Sequence, residues 1–274
     1  MTVAFDSREL AQWENAVNSI FGVSNCQRMR EYCLVNNLVS FASDNVEWVV
    51  RLAAQAKITL PSDLVNSYGS IFSECIDSVT LFHAARPASI ERYFDQGIRV
   101  SDSKDLNREA FEIFSPLGVS QQEIAAIALD KELGGEDGRV FLSIDDRDYT
   151  DECGHFLLYG SEYFGAIAAR LTKTFGQRPR DLLHYIGIAT VFKIDVPKQA
   201  LGKHDFRNLA IALMAHYFSA ARQNTEATLI DHTVVLYDDV PPDWIKGHYH
   251  PKIIKDPFRN FLTVVEDSTT CQFC

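Results

Sequence analysis

The side chains with chemical potential fall in three short stretches. In Ser78–Gly97, "SVTLFHAARPASIERYFDQG", an apolar run delivers His83 and Arg86 at the mouth of a short strand, where a turn would ordinarily carry Gly and Asp. In "LLYGSEYF" an aromatic, Tyr159, precedes a glycine, and Ser161 and Glu162 then open a helix. In "EATLIDHTVVLYDDVPPDWI" the carboxylate Glu226 precedes a late strand and Asp231 lies on it. An imidazole can hydrogen-bond a hydroxyl, and a guanidinium fork can hold a diphosphate. An aromatic face supports a flat cation. A fixed carboxylate in a dry pocket stabilises positive charge that develops as a bond breaks.

Each residue also has a plain structural use. Ser161 is an N-cap, and Glu162 suits the first turn of a helix by its dipole. Arg86 precedes a helix started by Pro87, His83 is a strand-end histidine, and Asp231 is an outward residue on an edge strand. The combination favours chemistry.

The elements that must position these groups read as two textures. Residues 7–77 read almost entirely as helix, in "SRELAQWENAVNSIF", "QRMREYCLVNNLVSFA", "NVEWVVRLAAQA" and "PSDLVNSYGSIFSECI", by apolar spacing of three to four and by Ser and Pro start signals. From Val79 onward strands alternate with helices. Strands are expected at Thr80–Phe82, Val140–Ile144, His155–Tyr159, Ala189–Val196 and Leu229–Tyr237. Helices are expected at Ser89–Phe94, Leu106–Phe114, Gln121–Leu133, Glu162–Phe175 and Phe206–Arg222. The fold class is α+β. A helical N-terminal region, 1–77, packs on a domain spanning 78–265, since no Pro/Gly-rich linker separates them, and 266–274 is a mobile tail.

Composition narrows the class. The 274 residues carry 46% hydrophobic and 23% charged residues, ordinary for a globule, with a net charge of -11. That balance disfavours a broad phosphate-tracking surface. No apolar run reaches the roughly 18 residues of a membrane span, and the start shows no signal peptide. Six scattered cysteines imply reduced thiols in a cytoplasm. No GxGxxG or GxxxxGK[ST] occurs, and "YGS" lacks the flanking glycines of a nucleophile elbow. His248, His250, Cys271 and Cys274 have the content of a zinc site. A CxxC at the last residue frays, however, and the histidine half lacks the usual spacing, so no metal is expected. "DDRDYTDE" (Asp145–Glu152) reads as a solvated acidic loop.

A strand followed by His, a connector, a short helix and Gly-Ile, then a Tyr–Gly–Ser turn into a helix, resembles the ADP-ribosyltransferase superfamily of diphtheria-toxin-like enzymes and poly(ADP-ribose) polymerases, over roughly residues 79–254. The resemblance implies a split antiparallel sheet around a cleft, with an N-terminal helical layer, and NAD as substrate. It implies that His83 bonds the adenosine ribose, that the Ala84 backbone meets the nicotinamide amide, and that Tyr159 stacks on nicotinamide. Arg86 and Ser161 complete the cofactor-binding set. The family's late-strand Glu is replaced here, since alignment by eye brings Thr233 to its place. Asp231, ahead of Glu162, is the candidate carboxylate, and Glu226 falls too early. The expected activity is transfer of ADP-ribose to a protein or nucleic acid in a cytoplasm, its own or a host's, as in a toxin, effector or defence protein, for which a cognate inhibitor would be a further partner and a membrane none. The alternatives are a catalytically silent NAD- or ADP-ribose-binding module and an RNA 2′-phosphotransferase-like enzyme.

Overall fold

The computed structural model describes residues 4–5, 10–36, 45–100, 102–128, 138–220, 232–265 and 271. The chain divides into two compact units, one made of Met1–Leu81, Ser143–Asp145 and Asp195–Val234, the other of Phe82–Leu142, Asp146–Ile194 and Val235–Cys274. The division therefore does not fall at residue 78, and the N-terminal helices do not form a unit alone.

The first unit is built around one buried helix. Its N-terminal helices are α1 (Leu10–Phe21), α2 (Val23–Asn36), α3 (Asn45–Gln55) and α4 (Leu64–Cys75), the last capped by the Asp63 carboxylate. A much later segment, which we number α11 (Lys203–Ala220), joins them. Residues 209–218 of α11 are buried without interruption. A helix apolar on every side must be surrounded, and one-sided helices need such a partner. Phe218 meets Phe21 edge-on at 5.4 Å, Phe206 lies 5.4 Å from Phe72, and the Arg30 guanidinium sits 5.1 Å over the Tyr217 ring. Each fully buried Phe or Leu here contributes about 1.5–3 kcal/mol.

The strands are β1 (Ala4–Phe5), β2 (Ser78–Ala85), β3 (Val140–Ser143), β4 (Thr190–Pro197), β5 (Thr233–Leu236), β6 (Ile245–Tyr249), β7 (Ile253–Asp256) and β8 (Leu262–Val265). The main sheet is antiparallel in the order β5-β3-β2-β4-β6, and β1 runs parallel to the start of β2. Strands β7 and β8 form a separate antiparallel pair from Ile253↔Val265 to Asp256↔Leu262. The sequence reading assigned no strand to β6, β7 or β8.

In the second unit Phe82 and Ala84 of β2 point into a core with Tyr149, Leu158, Ile167 and Ile254. That core draws on α6 (Ser103–Phe114), α7 (Gln121–Ala128), α8 (His155–Tyr159), α9 (Glu162–Phe175) and α10 (Arg178–His184). Helix α5 (Glu91–Gln96) stacks Tyr93 on Phe192 of β4, with ring centroids 4.5 Å apart.

Three expectations are corrected here. His155–Tyr159 is a helix: Leu157, Leu158 and Tyr159 are all buried in succession, which an alternating strand with one open face would not allow. The first strand extends to Ala85, so His83 and Ala84 lie within it and not in a turn at its mouth. Asp145 and Asp146 of the expected acidic loop are buried, and the Tyr249 hydroxyl donates to Asp146 Oδ2 at 2.9 Å.

Candidate active site

Strand geometry sorts the candidates first. Side chains alternate along a strand, and Phe82 and Ala84 face the core that also holds Tyr159. His83 therefore projects from the opposite face of β2. His83 and Tyr159 do not converge.

His83 is held by its neighbour strand. Its Nδ1 lies 3.0 Å from the carbonyl oxygen of Phe141 in β3. A carbonyl only accepts, so Nδ1 carries the proton and Nε2 is the acceptor of the neutral ring. Burial pushes the His83 pKa down, and the carbonyl bond opposes this less strongly. The result is a neutral imidazole of fixed tautomer, suited to accept from a hydroxyl. Phe141 itself is 40% exposed between the buried Val140 and Leu142. Phe141 is therefore an exposed aromatic whose backbone carbonyl orients the imidazole. The run "VFLSI" is apolar at nearly every position, so nothing in it distinguishes the outward residue. Nearby in sequence, the Arg139 guanidinium lies 6.0 Å from the Tyr237 ring.

Tyr159 closes α8 and is only 5% exposed. Its hydroxyl donates to the buried carboxylate of Asp256, which also accepts from the Phe258 amide at 2.9 Å. Burial first, and then that carboxylate, push the phenol's pKa well above its ordinary value. The ring is 5.9 Å from that of Phe258. This tyrosine anchors the β7 region to α8.

Arg86 lies just past β2, and its fork is spent on two carbonyls. Nη1 donates to Leu157 at 3.0 Å and Nη2 to His184. Those carbonyls lie in the last turns of α8 and α10, where a cation offsets the helix dipole. The approach is tight, because Gly187 at φ 65° leaves its Cα so close that a Cβ would stand 2.2 Å from the Pro87 carbonyl oxygen.

Ser161 caps α9, its hydroxyl accepting from the Phe164 amide at 3.4 Å. Glu162 follows in the first turn, 62% exposed and 3.7 Å from His155 Nε2. The interaction with His155 holds its carboxyl below the ordinary range. Ala84 is buried in β2. Asp231 and Glu226 lie outside the described residues. Thr233 opens β5 and is exposed.

Two other features stand apart from these residues. A concavity of about 380 Å³ in the helical unit is lined by Glu14, Arg30 and Tyr217 among others, and by none of the sequence candidates. His248, His250 and Cys271, for which the spacing argued against a metal, each place a ligand atom within 4.8 Å of the others. No helix among the described residues is long and apolar enough to cross a membrane. Comparison with protein-family models, with curated proteins and with solved structures returned no match in any of the three.

Proposed function

We propose that the protein is an NAD-dependent ADP-ribosyltransferase whose site is built around His83 of β2 and its bonded neighbour Phe141 of β3. The observation that carries this reading is the neutral, tautomer-fixed His83, bonded to the backbone of an exposed aromatic on the neighbouring antiparallel strand. His83 Nε2 would accept from a ribose hydroxyl, and the Phe141 ring would receive the nicotinamide in place of Tyr159. The Ala84 backbone keeps its proposed contact with the nicotinamide amide. Cleavage breaks the bond between the ribose anomeric carbon and the nicotinamide nitrogen, the electron pair leaving with nicotinamide. A nucleophile on the acceptor then bonds to that carbon. Asp231 is the proposed carboxylate that stabilises the intervening cation. Glu162 has its own partner in His155 and ranks second.

The acceptor is a protein or nucleic acid; the net charge of -11 favours protein. The split sheet, a cytoplasmic site of action and a toxin, effector or defence role belong to this same proposal. Arg86, with both terminal nitrogens on carbonyls, gives an RNA 2′-phosphotransferase reading little support. A second reading, NAD or ADP-ribose binding without turnover, is favoured by Thr233 at the start of β5, a strand "TVVL" without a carboxylate.

The test is incubation with labelled NAD⁺ and cell lysate, followed by nuclease or protease treatment. Label transferred to protease- or nuclease-sensitive material supports the transferase. Binding without nicotinamide release supports the silent module. Failure to bind or consume NAD⁺ overturns both.

A further inference from the structure

The second unit carries a cluster of soft ligands apart from His83 and Phe141. His248 lies in β6 and His250 just beyond its end. Tyr249 between them sends its hydroxyl to Asp146, which leaves the two histidines together on the other side, with ring centroids 5.1 Å apart. Cys271, 21 residues past His250 in sequence, brings its Sγ to 3.5 Å from His248 Nε2.

The distances suit a tetrahedral ion. With metal–nitrogen and metal–sulfur bonds of about 2.0–2.1 and 2.3 Å, two such ligands stand about 3.6 Å apart. The His248–Cys271 separation is already there, and all three ligand atoms lie within 4.8 Å of one another. His250 is oriented as metal ligands are. Its Nδ1 donates to the Ala189 carbonyl at 2.8 Å, which leaves the lone pair on Nε2. That nitrogen is buried and has no hydrogen-bond partner. A backbone carbonyl on the far nitrogen is the usual outer support of a ligating histidine. Phe94 and Phe192, 5.4 and 6.3 Å from the His248 ring, supply an apolar surround.

We propose that His248, His250 and Cys271 bind one zinc-class divalent ion, which ties the C-terminal segment to β6. Binding takes the Cys271 side chain as thiolate and releases one proton to solvent. The fourth position goes to solvent. Softness of the donor set favours zinc over magnesium or calcium.

The experiment titrates metal-free, full-length protein with Co²⁺ and then Zn²⁺, alongside elemental analysis and a thermal melt with and without chelator. The expected result is one ion per chain, a thiolate-to-cobalt charge-transfer band that Zn²⁺ abolishes, and a melting temperature lowered by chelator. Cys271→Ser should lose the band and the chelator effect, and His248→Ala should bind far more weakly, each with unchanged far-UV circular dichroism. No metal uptake at micromolar protein, or undiminished uptake by Cys271→Ser, overturns the proposal and leaves a thiol–imidazole hydrogen bond.

Discussion

Replacing Tyr159 by Phe tests its anchoring role, and replacing Phe141 by Ala tests the proposed platform. The change keeps the ring and deletes one hydroxyl, the donor to Asp256, whose carboxylate is 1% exposed. Asp256 then keeps the Phe258 amide at 2.9 Å and Arg259 Nε at 3.6 Å. Losing a hydrogen bond to a buried charged group costs about 1.5–3 kcal/mol. For a chain of this size, at about 2–4 °C per kcal/mol, the melting temperature should fall by about 3–12 °C. NAD⁺ consumption measured well below the transition should be unchanged. Phe141→Ala should do the reverse. Its ring is 40% exposed, so stability should change little, whereas loss of a stacking platform worth about 0.5–1.5 kcal/mol should cut NAD⁺ use by about 2- to 13-fold. Differential scanning calorimetry and a nicotinamide-release assay on both variants decide the matter. If Tyr159→Phe kept its melting temperature, the anchoring role of its hydroxyl would be wrong, and if Phe141→Ala left NAD⁺ use unchanged, Phe141 would not be the platform.

Gly187→Ala should destabilise by about 2 kcal/mol or more, because the residue has φ 65° and its new Cβ would fall 2.2 Å from the Pro87 carbonyl oxygen; urea midpoints will show it. Arg86→Lys keeps the charge but not the fork, so one of the two helix-end carbonyls goes unserved, at a cost of about 1–3 kcal/mol read from the same midpoints. His83 has a folded pKa below the ordinary imidazole value of 6.5. As pH falls below that value the unfolded chain takes up a proton that the folded one refuses, so stability declines on acidification, and His83→Gln should show a shallower decline between about pH 7 and pH 5. Among the described thiols, exposed Cys75 should react first with a thiol reagent, while Cys26 and Cys33, pushed up by burial to about 11, should resist until the protein unfolds.

Elements with strong local signals were legible in the sequence. Helix α9 runs over the expected Glu162–Phe175, because Ser161 caps it and its apolar residues recur at helical spacing. Strand β4 and helices α3 and α6 were found to within a few residues, since periodicity is a property of a window and needs no distant partner. What the sequence could not decide depended on residues far along the chain. The run "HFLLY" is five residues long and mostly apolar, so no period distinguishes strand from helix; burial of Leu157, Leu158 and Tyr159 in succession marks the helix. Helix α11 lies some 130 residues after the N-terminal helices, and only packing made it their core. Phe141 and Tyr159 are both aromatics in apolar runs, yet one is exposed and the other bonded to Asp256, 97 residues away. The cluster of His248, His250 and Cys271 obeys no motif spacing. Local propensity acts through neighbours in the chain, whereas facing, burial and ligand convergence are set by which strand lies beside which, and only the folded chain carries that.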